Sequence, residues 1–392
     1  MRTIRSAGGD PKPERKFKCA FGGSNLLCTV PANAVCEMTG EILEPTLLEK
    51  AMKLELNELE SFGVGKVVSR AVAFDTARQH RRRVLTSRWV LSVKSAGLYR
   101  ARLVVRDYAS CGGSTLDEGI YSPTTSLEGL RLVLSFVCQR GDLVSADVSV
   151  AFMHAKNVRP EAISLPGNIV GAKDKDTVYV LLDRAMNGLR SAPLAWYQEL
   201  SGHLKDLGFS GGVDPTIFRK GTFGRDLLIV LFYVDDLLIW CELKGVAEKV
   251  FQELARKYKL KKTGFIPEKG VGEVSFLGRR IFRRAQDQGS NKIYFGLPAA
   301  YLEDTAKEFG ITKPGRLPSL ERTYANLIKD ETKAVPLSKE GHERYRRVLG
   351  RLAWASLTRA DLQYVVSFLG RFQAGPNEAA EQCMRTTLRW VV

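Results

Sequence analysis

Apolar and polar positions alternate in distinct periods along the chain. In "TLLEKAMKLELNELESF" the apolar residues Leu48, Met52, Leu56 and Leu59 recur at helical spacing, and Thr46 with Glu49 has the form of a capping box. In "RWVLSVKSAGLYRARLVVRD" the period falls to two. Trp89, Leu91 and Val93 share one face, and Tyr99, Ala101, Leu103 and Val105 alternate with Arg100, Arg102 and Arg106. This is the pattern of a hairpin turning near Ser95-Ala96-Gly97, with one apolar and one basic face. The basic face is either solvated or turned toward phosphates.

Further along, "SLEGLRLVLSFVCQR" reads as a helix, "LVSADVSVAF" and "VYVLL" as strands, and "SAPLAWYQELSGHLKDLGF" as a helix ending at Gly208. "KGVAEKVFQELARKYKL" continues as a helix, and "VSFLGRRIF" as a hairpin-like region. "HERYRRVLGRLAWASL" and "ADLQYVVSFLGRF" are helical. The first 45 residues mix Gly, Pro and basic residues without a period and read as a loose arm. The order is mixed α and β, without the βαβ alternation or glycine fingerprint of a dinucleotide-binding sheet, and without repeats.

Composition adds a partner class. The 392 residues carry a formal net charge of +16, which points to a polyanion, most simply nucleic acid; a basic protein that is merely soluble is the plain alternative. Seven cysteines without CxxC spacing and four scattered histidines disfavour a zinc site and suit reduced thiols in an intracellular setting. No apolar run is long enough to span a bilayer.

The stretch "LLIVLFYVDDLLIW" places Asp235 and Asp236 side by side in an apolar run. Two strands joined by a tight turn at Val-Asp or Asp-Asp would look this way. Aspartate is common in turns, so the pair alone is weak. Asp147 strengthens it. It ends the apolar strand "LVSA", and if the two strands lie side by side, Asp147 and Asp235 meet at one end of a sheet. Carboxylates held that close repel, and a hard divalent cation with oxygen ligands relieves the repulsion. Asp142 competes for the role, but it sits next to Gly141 at a turn.

"YVDD" within apolar strands, "SADVSVAFMHA" upstream and "MNGLRSAPLAWYQEL" between them resemble the reverse transcriptase of copia-type LTR retrotransposons. The likeness continues through "SRWVLSVKSAGLYRARLVVRDYAS", "YSPTTSLEGLRLVL", "FLGRRI" and "YRRVLGRLAWASLTRADLQYVVSFLGRF", in the family's order, from about residue 46 to the end. It implies an α+β right-hand polymerase of fingers, palm and thumb with a ferredoxin-like antiparallel palm sheet. The arm would cover residues 1–45, fingers and palm 46–310, and a thumb- or connection-like helical region 311–392, without RNase H.

By the same resemblance Asp147, Asp235 and Asp236 are the catalytic aspartates. Asp147, Asp235 and the Val148 carbonyl would hold two Mg²⁺ ions, with Mn²⁺ as a substitute, and Asp236 would support the site less directly. Phe152 falls at the steric-gate position, for which core packing is the alternative. Gly188 and Pro193 match the segment lining nucleotide and template, and glycine there would let the backbone approach the substrate. Arg100 and Arg102 match the strand that clasps the triphosphate, Tyr233 the aromatic beside the primer terminus, and Phe276-Leu277-Gly278 the primer-grip turn. Lys261 or Lys262 lies where the family places a lysine that protonates pyrophosphate. The implied partners are an RNA template, a DNA primer and dNTPs, with no membrane.

The chain departs from the family in Met153-His154-Ala155, where Leu-Asn-Gly is usual, in Ser191 for glutamine, Leu194 for arginine and Ala360 for proline. None of these removes a metal ligand. The expectation is an RNA-directed DNA polymerase cut from a Pol polyprotein, the alternatives being a catalytically decayed, basic nucleic-acid-binding remnant or a structural hairpin with turn aspartates. Residence is in a cytoplasmic particle or the nucleus, with "RQHRRR" as either a localisation signal or a nucleic-acid-facing loop.

Overall fold

A computed structural model of the chain describes residues 15–95, 97–108, 120–171, 176–287, 292–298, 300–317 and 319–392. Residues 1–14 of the expected arm, Ala96 of the expected turn and Cys111 lie outside the described residues. The chain opens with β1 (Arg15–Phe21), β2 (Ser24–Val30), α1 (Pro45–Ser61), β3 (Gly65–Val68), α2 (Arg70–Gln79), β4 (Leu85–Ser95) and β5 (Leu98–Val105). Then come α3 (Leu127–Gln139), β6 (Asp142–Val148), α4 (Ala151–His154), β7 (Lys156–Ser164), β8 (Ile169–Gly171), β9 (Tyr179–Arg184) and α5 (Ala192–Asp206). Next are β10 (Ser210–Gly211), β11 (Ile217–Lys220), β12 (Leu228–Tyr233), β13 (Asp236–Cys241), α6 (Val246–Lys257) and β14 (Leu260–Ile266). The rest is β15 (Gly272–Phe276), β16 (Arg279–Arg283), β17 (Tyr294–Gly296), α7 (Ala300–Lys307), α8 (Leu320–Leu327), α9 (Lys339–Ser356), α10 (Gln363–Gly370) and α11 (Glu378–Val391).

Two compact units divide the chain. The first comprises Met1–Leu132, Ala146–Ile239 and Lys249–Lys261, and the second Val133–Ser145, Trp240–Glu248 and Lys262–Val392. Each is assembled from separated pieces of chain, so a linear reading for linkers has no boundary to find.

In the first unit β3-β9-β7-β4-β5 form a five-stranded sheet in which β4 and β7 run parallel and the other pairs antiparallel. The β4–β5 hairpin keeps the expected period. Ala101, Leu103 and Val105 are buried, and Arg100 and Arg102 lie half-exposed on the other face. Helix α1 buries Leu48, Met52, Leu56 and Leu59 as its period requires. Its cap differs from the expected box. Glu44 accepts the N–H groups of Thr46 and Leu47 at 2.8 and 2.7 Å, because Pro45, with its preset φ, takes the first helical turn. Glu49 pairs instead with Lys53 at 2.7 Å.

Residues 15–30 of the expected loose arm form an antiparallel hairpin, β1–β2, which pairs with β8. The basic residues Lys16 and Lys18 alternate with Phe17 and Cys19, and Phe21, Leu26, Cys28 and Val30 are buried. The charge masked a period of two. A further set of strands runs in the order β10-β11-β12-β13-β6.

In the second unit β14-β15-β16-β17 are neighbours in that order. Helices α7 to α11 surround a core that includes Leu302, Tyr345, Val348, Leu352, Phe368, Met384 and Leu388. Among the described residues no helix is long and apolar enough to cross a membrane.

Candidate active site

Strands β12 and β13 are apolar and buried almost throughout, and the two aspartates fall in the link between them and at the first position of β13. That link is a two-residue turn, Val234-Asp235. Val234 has φ of 53° and Asp235 is not among the positive-φ residues, the φ pattern of a type II′ turn. Glycine usually fills the first position of such a turn; a β-branched residue there is strained. Asp147 sits at the penultimate position of β6. The N–H of the next residue, Val148, donates to the carbonyl of Asp235 at 2.8 Å. One peptide on, Ser149 N–H donates to the Lys259 carbonyl at 2.9 Å. A second left-handed residue, Val150 at φ 52°, then turns the chain into α4. The two carboxylates are thus joined through the backbone of adjoining segments.

Their charges register the approach. Burial, and then the like charge of Asp235, push the Asp147 carboxyl above the usual carboxylate range; Lys261, Arg100 and Lys94 pull the other way. Asp236 opens β13 and is half-buried. Among the described residues no set of three His, Cys, Asp or Glu side chains is arranged to hold a metal. Two oxygen-donor groups that repel one another, with cations nearby, fit a hard divalent ion better than a soft one. Asp142 plays a different part. It is 2% exposed and accepts the N–H groups of Gly245 and Glu268, both at 2.7 Å, as a structural carboxylate of the second unit.

Arg102 and Arg100 of β5 stand in the same field. Burial and the Arg100 charge lower the Arg102 guanidinium, while Glu55, Asp235 and Asp147 raise it. Glu55 is a participant that the sequence did not announce. From α1 it accepts the Leu103 N–H at 3.0 Å, and burial pushes its carboxyl up. Its only sequence signal is that it precedes Leu56 of the apolar stripe.

The two lysines separate. Lys261 acts on Asp147, whereas Lys262 pairs with Glu248 within the second unit and lies over Phe265. Phe152, in α4, is half-buried and outside the apolar core. Tyr233 is half-buried at the end of β12. Pro193 is the second residue of α5, and its carbonyl accepts the Ser122 hydroxyl at 3.2 Å.

Gly188 permits a close approach of backbone to backbone. At φ 91° it lies against β5, where an added Cβ would stand 2.1 Å from the Val105 carbonyl oxygen. In the second unit Leu277 and Gly278, at φ 52° and 68°, form the two-residue turn between β15 and β16. Phe276 immediately precedes that turn. Strand alternation puts it inward with Val274, and it is 1% exposed.

Residues 75–315 match the family described as reverse transcriptase (RNA-dependent DNA polymerase). The chain belongs to the reverse transcriptase family. Its relatives include the retrovirus-related Pol polyprotein from transposon TNT 1-94 of Nicotiana tabacum, 26% identical over 89% of this chain and 25% of that protein. The Pol polyproteins from transposons RE1 and RE2 of Arabidopsis thaliana are each 26% identical over 79% of this chain and 20% of their own length. The copia-type resemblance drawn from the motifs stands with these matches. The chain spans only a quarter or less of the length of these relatives.

Proposed function

We propose that the chain is the polymerase module of a copia-type element, an RNA-directed DNA polymerase that extends a DNA primer on an RNA template. The primer 3′-OH attacks the α-phosphate of a dNTP and pyrophosphate leaves. In this reading β4 and β5 belong to the fingers, β6, β12 and β13 to the palm, and α7 to α11 to the thumb. The observation that carries it is the Val148 N–H to Asp235 carbonyl bond, which ties together two carboxylates 88 positions apart in the sequence.

Asp147, Asp235 and the Val148 carbonyl would hold two Mg²⁺ ions, which when bound stabilise the charge that builds on the transferred phosphoryl group. Arg100 and Arg102, which act electrostatically on the same carboxylates, would take the triphosphate oxygens. The half-exposed Phe152 ring would sit beneath the incoming sugar and exclude a 2′-OH. Lys261 would give a proton to the leaving pyrophosphate oxygen. The net charge of +16 would hold template and primer through their phosphates, so binding weakens steeply with salt.

Primer extension on poly(rA)·oligo(dT) with dTTP and Mg²⁺ or Mn²⁺ is the test. Asp235→Asn should abolish extension and leave template–primer binding intact. A folded chain that incorporates no dTMP with either ion refutes the proposal.

A further inference from the structure

The Val234-Asp235 turn holds a β-branched residue where glycine belongs, so something must restrain it. Trp196 of α5 is 1% exposed, and its indole Nε1 donates to the Val234 carbonyl at 2.6 Å. That carbonyl belongs to the peptide unit leading into Asp235, whose own carbonyl receives the Val148 N–H. Rotation of the Val234-Asp235 peptide would therefore break the indole bond and move the acceptor that joins the two aspartate segments.

The indole is held in turn. The Tyr258 ring lies edge-on to it at 5.2 Å and 83°, and the His154 ring is 6.0 Å away. The strand leading into the turn is pinned separately: the Thr125 hydroxyl donates to the Phe232 carbonyl at 2.7 Å, and Phe232 N–H to the Thr216 carbonyl at 3.2 Å. The turn is thus held both through the strand that leads into it and at the Val234 carbonyl.

We propose that Trp196 is a positioning residue, whose indole N–H locks the Val234-Asp235 peptide in the left-handed turn and thereby keeps Asp235 facing Asp147. The proposal rests on the reading of those two aspartates as the catalytic pair. Removing the donor would loosen the carboxylate pair while leaving the surfaces that hold template and primer untouched. Changes that disturb the orientation of metal-binding groups in this way typically weaken metal affinity or activity by about 10–100-fold.

The test is hydrogen exchange on the full chain, followed across fragments 145–152 and 231–238, together with primer extension. In Trp196→Phe, exchange at Val148 should rise at least about tenfold, and the Mg²⁺ concentration for half-maximal extension should rise about tenfold. Template–primer binding should stay as in the parent. Trp240→Phe is the control. It loses a bond of the same kind, Trp240 Nε1 to the Arg140 carbonyl at 3.0 Å, and should leave Val148 exchange unchanged.

A second change separates restraint from packing. Glycine adopts φ near 53° without a Cβ penalty, so Val234→Gly added to Trp196→Phe should bring Val148 exchange back toward the parent rate. Lost packing alone would not be rescued in this way. Should Trp196→Phe fail to fold, benzothienylalanine at position 196 replaces only the N–H by sulfur and carries the same expectation. Parent-like Val148 exchange in the folded variant, or a double variant exchanging as fast as Trp196→Phe, overturns the proposal. A parent chain that extends no primer overturns the polymerase reading, and the exchange result still decides the role of Trp196.

Discussion

The Nε2 atom of His154 accepts the backbone N–H of Lys259 at 3.3 Å, the same residue whose carbonyl receives the Ser149 N–H beside the aspartates. An accepting ring nitrogen carries no proton, so the geometry requires the neutral imidazole. Burial lowers the His154 pKa below 6.5, helped by Arg184 and Lys259, while the Ser149 backbone and Glu199 pull it up. Between the folded pKa and 6.5 the unfolded chain binds the proton that the folded chain refuses. The stabilising contribution is therefore complete above about pH 6.5 and lost as pH falls toward the folded pKa. His203 has the same sign and forms a background. Urea unfolding from pH 5 to 7.5 should give a steeper loss of stability on acidification for the parent than for His154→Asn. Equal slopes would remove His154 from the account.

Asp147 carries an electrostatic cost in the fold. Its carboxyl is pushed up by burial and by Asp235, so its charged form is disfavoured in the fold and its contribution to stability falls as pH rises through its pKa. Asp147→Asn should therefore raise the thermal midpoint at pH 7.5 by about 1–2 °C in the absence of divalent ions. Extension should fall by about 10²–10³-fold. A lower midpoint, measured by calorimetry in EDTA, would contradict this assignment of the strain.

What the sequence disclosed followed its local periods. The stripe of α1, the alternation of β4 and β5, and the β12–β13 turn at Val234-Asp235 repeat within a few residues and were legible. The β1–β2 hairpin was not, because lysines occupy its exposed positions beside glycine-rich flanks. Glu55 and Trp196 stayed hidden for another reason. Their partners, Leu103 and Val234, lie 48 and 38 positions away, and no local pattern encodes such contacts. The three aspartates were visible as candidates, and the fold brings the Asp147 and Asp235 segments together through the Val148 N–H to Asp235 carbonyl bond.

Ser191 tests a departure from the family pattern. It occupies the N-cap of α5, yet its side chain makes no capping bond, and its buried hydroxyl has no hydrogen-bond partner among the described residues. Replacing an N-cap serine by alanine usually costs about 0.5–2 kcal/mol. Here no bond is lost and an unsatisfied buried oxygen is removed, so Ser191→Ala should lie within about 0.5 kcal/mol of the parent or above it. Chemical denaturation decides, and a loss above about 1 kcal/mol would reveal a partner for the hydroxyl.

Glu55 offers the sharpest separation of fold from substrate handling. Its carboxylate takes the Leu103 N–H and faces Arg102 and Arg100. Glu55→Ala leaves a part-buried N–H unsatisfied and should destabilise the protein by about 1–3 kcal/mol. Glu55→Gln keeps an acceptor oxygen and should cost less. It also removes the negative charge that offsets the two arginines, so more of their field reaches a bound triphosphate. Steady-state extension should then show a lower KM for dTTP in Glu55→Gln, with kcat within about twofold of the parent. A raised KM would mean that Glu55 instead holds the arginines in the orientation that the triphosphate needs.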